Sequence, residues 1–404
     1  MPISQMQRVT HRTLLPGVLA VLLVGIATTP SHAESIRSQQ WHLTAMKAEE
    51  MWKIAKGEGV TVAVIDSGVD AKNPDLRGQV LAGKDFASGT PGDQHTDYRG
   101  HGTGIAGLIV GTGRSGGGDG AFGLAPGAKI LPVRVHENAS AMPEAIRYAA
   151  DAGAKVINIS MGSEGETSGA PPQAESDAVE YALEKGALIF ASVGNDGDSS
   201  LEFPGATPGV VGIGAIGKDL RKTAESQYGP QVDLTAPGID MVHACGGKTG
   251  LCNSHGTSAA TAIASACAAL IWSKHPDWTN NQVLRVLLNT AGAPTSSAKR
   301  NDYIGYGVLR PRIALKTPGD PGPADEYPLS DLAAAEPKSP SSQASESAGS
   351  RSEEDQQSAA AGREDESDTG LWIAVGVGAA ALLGAAIAIP VVRARRRNTT
   401  FSPH

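Results

Sequence analysis

The sequence Val62-Ala63-Val64-Ile65-Asp66-Ser67-Gly68 is an apolar run that ends in a carboxylate. The part from Thr61 to Ile65 is short and rich in β-branched side chains, which is typical of a strand buried on both faces of a sheet. Ligand sites of open α/β sheets lie at the C-terminal ends of such strands. The sequence therefore predicts a buried strand that delivers Asp66 to that edge of a sheet.

Helix signals alternate with strand signals along the rest of the chain. From Thr257 to Trp272 small apolar residues with good helix propensity dominate, which predicts a helix packed closely inside the core. A similar helix is expected to begin at His101. Turns that contain glycine precede two further apolar runs, which start at Val156 and Ala187. This alternation predicts an α/β fold whose mostly parallel sheet is covered by helices on both faces.

Three separated blocks of small residues carry Asp66, His101 and Ser258. A serine hydroxyl is almost fully protonated at pH 7. It attacks a carbonyl only when a histidine takes its proton and a carboxylate holds that histidine in the right tautomer. Singly, each block is ordinary loop sequence, but together they supply an acid, a base and a nucleophile. The order Asp, His, Ser differs from the Ser, Asp, His order of the α/β-hydrolases. These three residues are the candidate catalytic triad of a serine hydrolase.

A fourth candidate is Asn195, in the segment Ala191-Ser192-Val193-Gly194-Asn195-Asp196-Gly197. When a serine adds to an amide, the carbonyl oxygen becomes an anion, and an asparagine NH2 together with a backbone N–H can stabilise it. The same residues are also typical of a simple turn, because Asn, Asp and Gly tolerate a positive φ. The position between the Val156 strand and the Ser258 block favours the oxyanion role. The N–H of Ser258, at a predicted helix N-terminus, is the candidate second donor.

The blocks around Asp66, His101 and Ser258 resemble the three active-site blocks of the subtilisin-like serine peptidases, the S8 family. The resemblance covers roughly residues 41–315 and includes the loop Asn73-Pro74-Asp75-Leu76. It implies a subtilisin-like fold and a serine endopeptidase that acts through an acyl-enzyme. In that family Asp66 would orient His101, and His101 would act first as base and then as acid.

The resemblance also implies substrate contacts. The segment Val156-Ile157-Asn158-Ile159-Ser160-Met161-Gly162 is similar to the family's strand whose edge binds the peptide. We therefore expect three substrate-binding residues that hydrogen-bond an extended peptide as an added strand: Ser160, Met161 and Gly162. The chain departs from the family pattern at Gly104, where most relatives have a second histidine, and at Ala259, where methionine is usual. Neither position carries the chemistry itself.

Both ends of the chain carry targeting signals. Residues 1–33 have a basic start, an apolar stretch and Ser31-His32-Ala33, which predict a secretory signal peptide cut after Ala33. Residues 370–392 contain no charge and are long enough to span a bilayer. The arginines of the basic tail, residues 393–404, place that end in the cytoplasm. We therefore expect a protein of the cell membrane with one transmembrane helix and an extracellular catalytic domain.

Three segments are predicted between these ends. Residues 34–60 form an N-terminal extension that is too short for a folded inhibitory prodomain, and residues 61–316 form the peptidase domain. Residues 317–369 are rich in Pro, Ser, Ala and Glu, with thirteen acids against three bases, which predicts a disordered acidic stalk. This stalk accounts for the whole net charge of −8, so the acidic balance says nothing about the substrate. The sequence lacks a basic surface interleaved with aromatic residues, which is the pattern that would indicate nucleic-acid binding.

The short extension, the membrane segment and the basic tail together resemble the mycosins, membrane-anchored subtilisin-like proteases associated with type VII secretion in actinobacteria. That resemblance implies a protein or peptide substrate and the type VII secretion machinery as a partner. Two hypotheses for the function follow. One is a secreted, membrane-anchored serine endopeptidase. The other is a structural component of a secretion complex in which proteolysis is secondary.

The chain contains three cysteines. In an exported protein we expect Cys245 and Cys252 to form a disulfide that closes a small loop just before Ser258. The chain-entropy treatment credits such a loop with roughly 2 to 3 kcal/mol. Cys267 lies on the predicted buried helix and is interpreted as a small core residue. The sequence shows no His and Cys cluster with metal-ligand spacing, so we expect neither a metal nor another cofactor.

Overall fold

The computed structural model describes residues 35–136, 141–164, 170–246, 250–295 and 298–332 of the 404-residue chain. Its strands are short and alternate with helices along the chain. They are β1 (Thr61–Asp66), β2 (Lys84–Asp85), β3 (Lys129–Arg134), β4 (Val156–Ile159), β5 (Ser163–Glu164), β6 (Leu188–Ser192), β7 (Glu202–Phe203), β8 (Val211–Ile216), β9 (Leu234–Pro237), β10 (Met241–Ala244) and β11 (Leu251–Ser254).

Seven of these strands form a parallel central sheet in the order β2-β3-β1-β4-β6-β8-β9. In β1, Val62 lies opposite Ile130 on one side and Val156 on the other. The strands β2 and β3 lie on one side of β1 and β4 lies on the other, so the strand order reverses between β1 and β4. In open α/β sheets such a reversal creates a crevice at the C-terminal strand ends. Asp66 ends β1 and Ser160 follows β4, so both residues lie at this crevice.

Helices cover both faces of the sheet. They are α1 (Ile36–Gln39), α2 (Trp41–Ala45), α3 (Ala48–Met51), α4 (His101–Val110), α5 (Met142–Asp151), α6 (Gln173–Glu184), α7 (Thr257–Lys274), α8 (Asn280–Thr290) and α9 (Pro311–Lys316). One face packs against α4 and α7, and the other packs against α5 and α6. The predicted α/β fold with a mostly parallel sheet is therefore confirmed.

The burial of β1 explains its apolar sequence. Successive residues of a strand point to opposite faces of the sheet. Val62 and Val64 belong to the core that contains α4 and α7, whereas Ala63 and Ile65 belong to the core that contains α5 and α6. Because both faces are covered, the strand needs an apolar residue at each of these positions.

The helix α7 passes through the core from Thr257 to Lys274. It lies against α4 and against five strands of the central sheet, and its alanines are buried. Small side chains permit this close packing on all sides of the helix. Ser265 of α7 donates a hydrogen bond to Asn158 Oδ1 at 3.0 Å, which ties the helix to β4. The helices predicted to start at Thr257 and His101 begin at those residues.

The N-terminal extension is held on the domain by hydrogen bonds from side chains to the backbone. The buried Gln40 side chain donates to the carbonyl oxygens of Phe122 and Val242 at 2.7 and 3.0 Å. The indole N–H groups of Trp41 and Trp52 donate to backbone carbonyls of the domain at 2.7 and 2.9 Å. These bonds make the extension part of the folded unit.

The prediction of a disordered stalk directly after the peptidase domain is wrong for residues 317–332. Arg285 of α8 donates to the carbonyl oxygens of Pro321 and Pro323 at 2.9 and 2.8 Å, and Leu329 is buried in the core that contains α7. Proline cannot donate a backbone hydrogen bond, so such a segment makes few bonds of its own. Here Arg285 and two further side chains of α8, those of Asn281 and Gln282, supply donors, which composition alone does not reveal.

The predicted signal peptide, the transmembrane segment at 370–392 and the basic tail lie outside the described residues, as does the stalk from residue 333 onward. Among the helices that the structure does describe, none has both the length and the apolar character needed to cross a bilayer. The membrane segment therefore stays a prediction.

His42 of α2 belongs to the N-terminal extension, and its side chain is completely buried. Its two ring nitrogens have no hydrogen-bond partner among the described residues. Burial is the main reason that the pKa of His42 falls from 6.5 to about 3, and the charges of Arg37 and His243 add to this effect. The ring therefore stays neutral in the folded protein. In the unfolded chain it takes up a proton below its ordinary pKa.

We expect the folded protein to lose stability as the pH falls from 6.5 toward about 3, because only the unfolded chain protonates His42. Within that window this residue alone lowers the free energy of unfolding by about 1.4 kcal/mol per pH unit. Urea unfolding of the full-length protein between about pH 7.5 and 5 measures the slope. In the His42→Leu variant this part of the slope should be missing. The control is His255→Leu, because the His255 side chain is 69% exposed. Equal slopes for His42→Leu and the unaltered protein would contradict the expectation.

Candidate active site

The structure brings Asp66 and His101 together at the crevice between β1 and β4. Both carboxylate oxygens of Asp66 lie 2.9 Å from Nδ1 of His101. Asp66 is fully buried, whereas the His101 side chain is 38% exposed. The carboxylate thus occupies Nδ1 and leaves the second ring nitrogen, Nε2, for a nucleophile or a substrate.

The close contact between α4 and the end of β1 depends on Gly102. A Cβ at position 102 would stand 2.2 Å from the carbonyl oxygen of Gly68 and 3.0 Å from Cβ of Asp66. Real Cβ atoms do not approach a backbone oxygen that closely, so any side chain here would push His101 away from Asp66. The glycine after the histidine therefore maintains the hydrogen bond.

A second carboxylate, Asp97, organises the loop that leads into α4, and the sequence analysis missed it. Its Oδ1 accepts hydrogen bonds from the N–H of Gly100 and the hydroxyl of Ser67, each at 2.7 Å. Its Oδ2 accepts the N–H and the hydroxyl of Thr103 at 2.7 and 2.6 Å. Ser67 also donates its backbone N–H to Asp66 at 2.7 Å. An acid shortly before a predicted helix start is a capping signal that could have identified Asp97.

Ser258 is the second residue of α7 and lies beside the residue that follows β4. Its Oγ donates to the carbonyl oxygen of Ser160 at 3.1 Å, and Ser160 Oγ donates to the carbonyl oxygen of Ser258 at 3.2 Å. The first N–H groups of a helix have no partner within the helix, and the helix dipole is positive at this end. The N-terminus of α7 can therefore stabilise a negative charge next to Ser258.

Asn195 is anchored to the same helix start. Its Oδ1 accepts the backbone N–H of Thr257 at 2.8 Å and the Thr257 hydroxyl at 3.1 Å. These two bonds fix the amide oxygen toward α7, so the NH2 group points away from it, and the residue is exposed. The structure thus places both candidate oxyanion donors, the Asn195 amide and the Ser258 N–H, at the first turn of α7.

The three candidate substrate-binding residues lie between β4 and the short ladder of β5 with β7. Ser160 and Met161 are buried, and Gly162 is partly exposed. The pairing of β4 with its neighbours ends at Ile159, and the pairing of β5 with β7 begins at Ser163. Among the ladders of the described residues, none includes these three positions, although the Ser160 carbonyl accepts the Ser258 hydroxyl. An added strand could therefore pair along this segment.

Electrostatics favour the charged form of His101. Its pKa is raised above the usual 6.5 mainly by the negative charge of Asp66, and their hydrogen bond adds to this shift. Burial acts in the opposite direction because it disfavours a charged ring. The neutral ring, which is the form that accepts a proton, is therefore populated at a higher pH than for an ordinary histidine.

A second histidine, His243 of β10, packs against the helix α4, which carries His101. It is buried, and a Cβ at Gly104 would stand 2.6 Å from its Cε1 atom. The His243 ring thus fills the space beside Gly104, where most subtilisin-like peptidases carry a histidine on the helix itself. Burial lowers the pKa of His243, its bond to the Ala244 carbonyl opposes this shift, and the charge of His101 adds to the lowering.

The hairpin of β10 and β11 leads into α7 and contains the disulfide between Cys245 and Cys252. This bond constrains the segment just before Ser258. Cys267 of α7 has a free thiol, and its burial raises the pKa of that thiol. Within the part of the chain that the structure describes, no group of three or more His, Cys, Asp and Glu side chains is placed to hold a metal ion.

Comparison with known proteins identifies the class of this site. The family model Peptidase_S8, described as the subtilase family, matches residues 57–307. Subtilisin BL from Lederbergia lenta is 34% identical over 265 residues, which cover 64% of this chain and 92% of the relative. Thermitase from Thermoactinomyces vulgaris is 34% identical over 242 residues, which cover 59% of this chain and 83% of the relative.

Solved structures of two mycosins are similar to this chain. MycP1 from Mycobacterium smegmatis has a TM-score of 0.63 at 27% identity, and the match covers 71% of this chain and 86% of MycP1. The MycP3 protease from the type VII (ESX-3) secretion system has a TM-score of 0.61 at 32% identity, and the match covers 68% of this chain and 88% of MycP3. The similarity therefore extends over most of each neighbour.

We expect NMR titration of the histidine rings to place the midpoint of His101 above pH 6.5, because Asp66 stabilises the imidazolium. Asp66→Asn removes that charge and should lower the midpoint. Asp219→Asn, at an exposed residue of the domain, is the control and should leave the midpoint unchanged. A midpoint at or below 6.5 in the unaltered protein would show that burial outweighs the carboxylate.

Proposed function

Since this chain belongs to the subtilase family and is a subtilisin-like serine endopeptidase, we propose that Asp66, His101 and Ser258 are its catalytic triad. The observation that carries this assignment is the contact of both Asp66 oxygens with His101 Nδ1, at the crevice where Ser258 lies in the first turn of α7. That contact fixes the tautomer with its free lone pair on Nε2. The ring is then ready to accept the proton of a serine hydroxyl.

The reaction begins with a rotation of the Ser258 hydroxyl. In the structure this group donates to the Ser160 carbonyl. When the peptide binds, the hydroxyl turns to His101 Nε2, which takes its proton as Oγ attacks the scissile carbonyl. The imidazolium is stabilised by Asp66 and then gives the proton to the leaving amine. Water hydrolyses the resulting acyl-enzyme by the same route in reverse.

The oxyanion of the tetrahedral intermediate is stabilised by Asn195 and by the Ser258 N–H. Both donors are held at the first turn of α7, so they need no reorganisation when the negative charge develops. The substrate backbone pairs with Ser160, Met161 and Gly162 as an added strand. This pairing places the scissile carbonyl between Ser258 Oγ and the Asn195 amide.

The protease acts outside the membrane in association with a type VII secretion system. Support comes from the predicted signal peptide, the uncharged segment at 370–392 and the basic tail. It also comes from the similarity to MycP1, a serine protease described as an essential component of the type VII (ESX-1) secretion system. That description equally motivates the second hypothesis, in which the chain is chiefly a structural component of the secretion complex.

A serine-directed fluorophosphonate tests the triad, because it forms a covalent bond only with an activated serine. We expect the purified full-length protein to be labelled and Ser258→Ala not to be labelled. Ser199→Ala removes an exposed hydroxyl near Asn195 and is the matched control, with labelling unchanged. Absence of labelling in the unaltered protein, or equal labelling in Ser258→Ala, would refute the triad. If the unaltered protein is labelled but the unlabelled Ser258→Ala variant restores every phenotype of a deletion, the structural role is favoured.

Asn195→Asp separates the oxyanion role from the structural role of Asn195. The new carboxylate keeps an oxygen for the Thr257 N–H but loses the NH2 donor. We expect kcat to fall by roughly a hundred to a thousandfold, a magnitude taken over from measurements on a subtilisin, with little change in KM. Thermal unfolding of the variant should match that of the unaltered protein. A kcat within about threefold of the unaltered value would assign Asn195 to a simple turn.

A further inference from the structure

The hydroxyl of Ser67 lies between two carboxylates. Its Oγ is 3.0 Å from Asp66 Oδ1 and 2.7 Å from Asp97 Oδ1, and both distances allow a hydrogen bond. Ser67 is fully buried. A serine hydroxyl has a single hydrogen, so it can donate to only one of the two carboxylates at a time. Ser67 therefore has two alternative acceptors, and rotation of the hydroxyl exchanges one for the other.

The Ser67 oxygen itself is held in one place. It accepts the backbone N–H of Gly102 at 3.1 Å, and the backbone N–H of Ser67 donates to Asp66 at 2.7 Å. Asp97 is fixed by the N–H and the hydroxyl of Thr103, at 2.7 and 2.6 Å. None of these bonds uses the hydrogen of the Ser67 hydroxyl, so they persist when the hydroxyl turns. The exchange thus moves one hydrogen and leaves the backbone where it is.

The charge of His101 decides which acceptor is favoured. When the ring is neutral, Asp66 is a buried anion that meets only neutral donors, and the Ser67 hydroxyl offsets part of its lost hydration. When the ring takes up a proton, the imidazolium lies 2.9 Å from both Asp66 oxygens and compensates their charge. The shorter bond, to Asp97, then holds the hydrogen, because charge-assisted O–H···O bonds are short. A donor left on Asp66 at that point would take up charge that stabilises the imidazolium.

Resting on the proposed triad, we propose that Ser67 is a positioning residue of the reaction, whose hydroxyl turns from Asp66 to Asp97 as His101 takes the proton of Ser258. Asp66 then directs its charge at the imidazolium alone. When His101 gives its proton to the leaving amine, the hydroxyl returns as the donor that Asp66 needs beside a neutral ring. Ser67 transfers no proton, since only its O–H bond rotates. Because Ser67 is fully buried, it acts through its neighbours in the fold.

The rate of fluorophosphonate labelling measures how well Ser258 is activated and needs no known substrate. Ser67→Ala removes both the exchanging donor and the acceptor of the Gly102 N–H, so we expect labelling to slow by about tenfold or more. Ser67→Thr keeps the hydroxyl and should label faster than Ser67→Ala. Ser88→Ala removes an exposed hydroxyl from the loop before α4 and is the matched control, with an unchanged rate. Equal rates for Ser67→Ala and the unaltered protein would overturn the inference.

The titration of His101 tests whether Asp97 is the second acceptor. Charged or titratable side chains face this ring from three parts of the fold: Asp66 at the end of β1, Asp97 and Arg99 in the loop before α4, and His243 of β10. Asp97→Asn offers Ser67 either a weaker, uncharged acceptor or an NH2 donor, so the hydroxyl stays on Asp66. We expect the midpoint of the His101 ring, followed by NMR, to fall by about one pH unit.

A double-mutant cycle separates this exchange from the direct effect of the Asp97 charge. In the Ser67→Ala background, Asp97→Asn removes only that direct charge, so the fall of the midpoint should be less than half as large. Ser67→Ala alone should move the midpoint by less than about 0.3 pH units, because the hydroxyl binds one carboxylate in each state of the ring. Asp219→Asn is the control and should leave the midpoint unchanged in both backgrounds.

Two results of this cycle would overturn the inference. Equal falls in the two backgrounds, or a clear rise of the midpoint in Ser67→Ala alone, would show that the hydroxyl does not turn to Asp97. The midpoint is read from the folded protein, so a loss of stability does not imitate either result. Both results leave the triad intact as long as Ser258 is labelled. Absence of labelling in the unaltered protein would instead overturn the triad, and this inference with it.

Discussion

The buried carboxylate of Asp66 is the constraint on which the rest of the site depends. A charge at the end of a buried strand is tolerated only when donors replace the water it has lost. Those donors are the backbone N–H and hydroxyl of Ser67 and the ring of His101. The start of α4 must therefore lie directly on the end of β1, and the glycine at 102 makes that approach possible. The reversal of strand order then brings Ser160 and Ser258 to the same crevice.

The helix α4 is packed as tightly on its other side. His243 presses against Gly104, and buried His42 lies near enough to His243 for their charges to interact. The N-terminal extension that carries His42 thus contributes to the packing behind the catalytic helix. Since both rings are buried and have lowered pKa values, they favour the neutral form, while His101 at the start of α4 favours the charged form. Burial lowers the pKa of all three rings, and the negative charge of Asp66 is what sets His101 apart.

The sequence predicted the features that local patterns determine. The starts of α4 and α7, the strand that carries Asp66 and the small loop closed by the disulfide all follow from short-range patterns or spacing, and the structure contains them. Contacts between distant segments were not predictable in this way. Asp97 bonds to Ser67 thirty residues earlier, and His243 meets a helix more than a hundred residues before it. For the segment 317–332 the prediction of disorder was wrong. Its composition is typical of a disordered chain, but donors on α8, which lies earlier in the chain, hold it on the domain.

Two carboxylates of the proposed site have different roles, and their surroundings decide which. Asp66 is buried and has a histidine ring beside it, so it orients and stabilises a charge that appears during the reaction. Asp97 accepts bonds from backbone and hydroxyl groups of its own loop, so its charge serves local structure. The same chemical group thus serves the proposed reaction directly at one position and the local fold at the other, because Asp66 meets a ring that can take up a proton, whereas Asp97 meets backbone and hydroxyl donors.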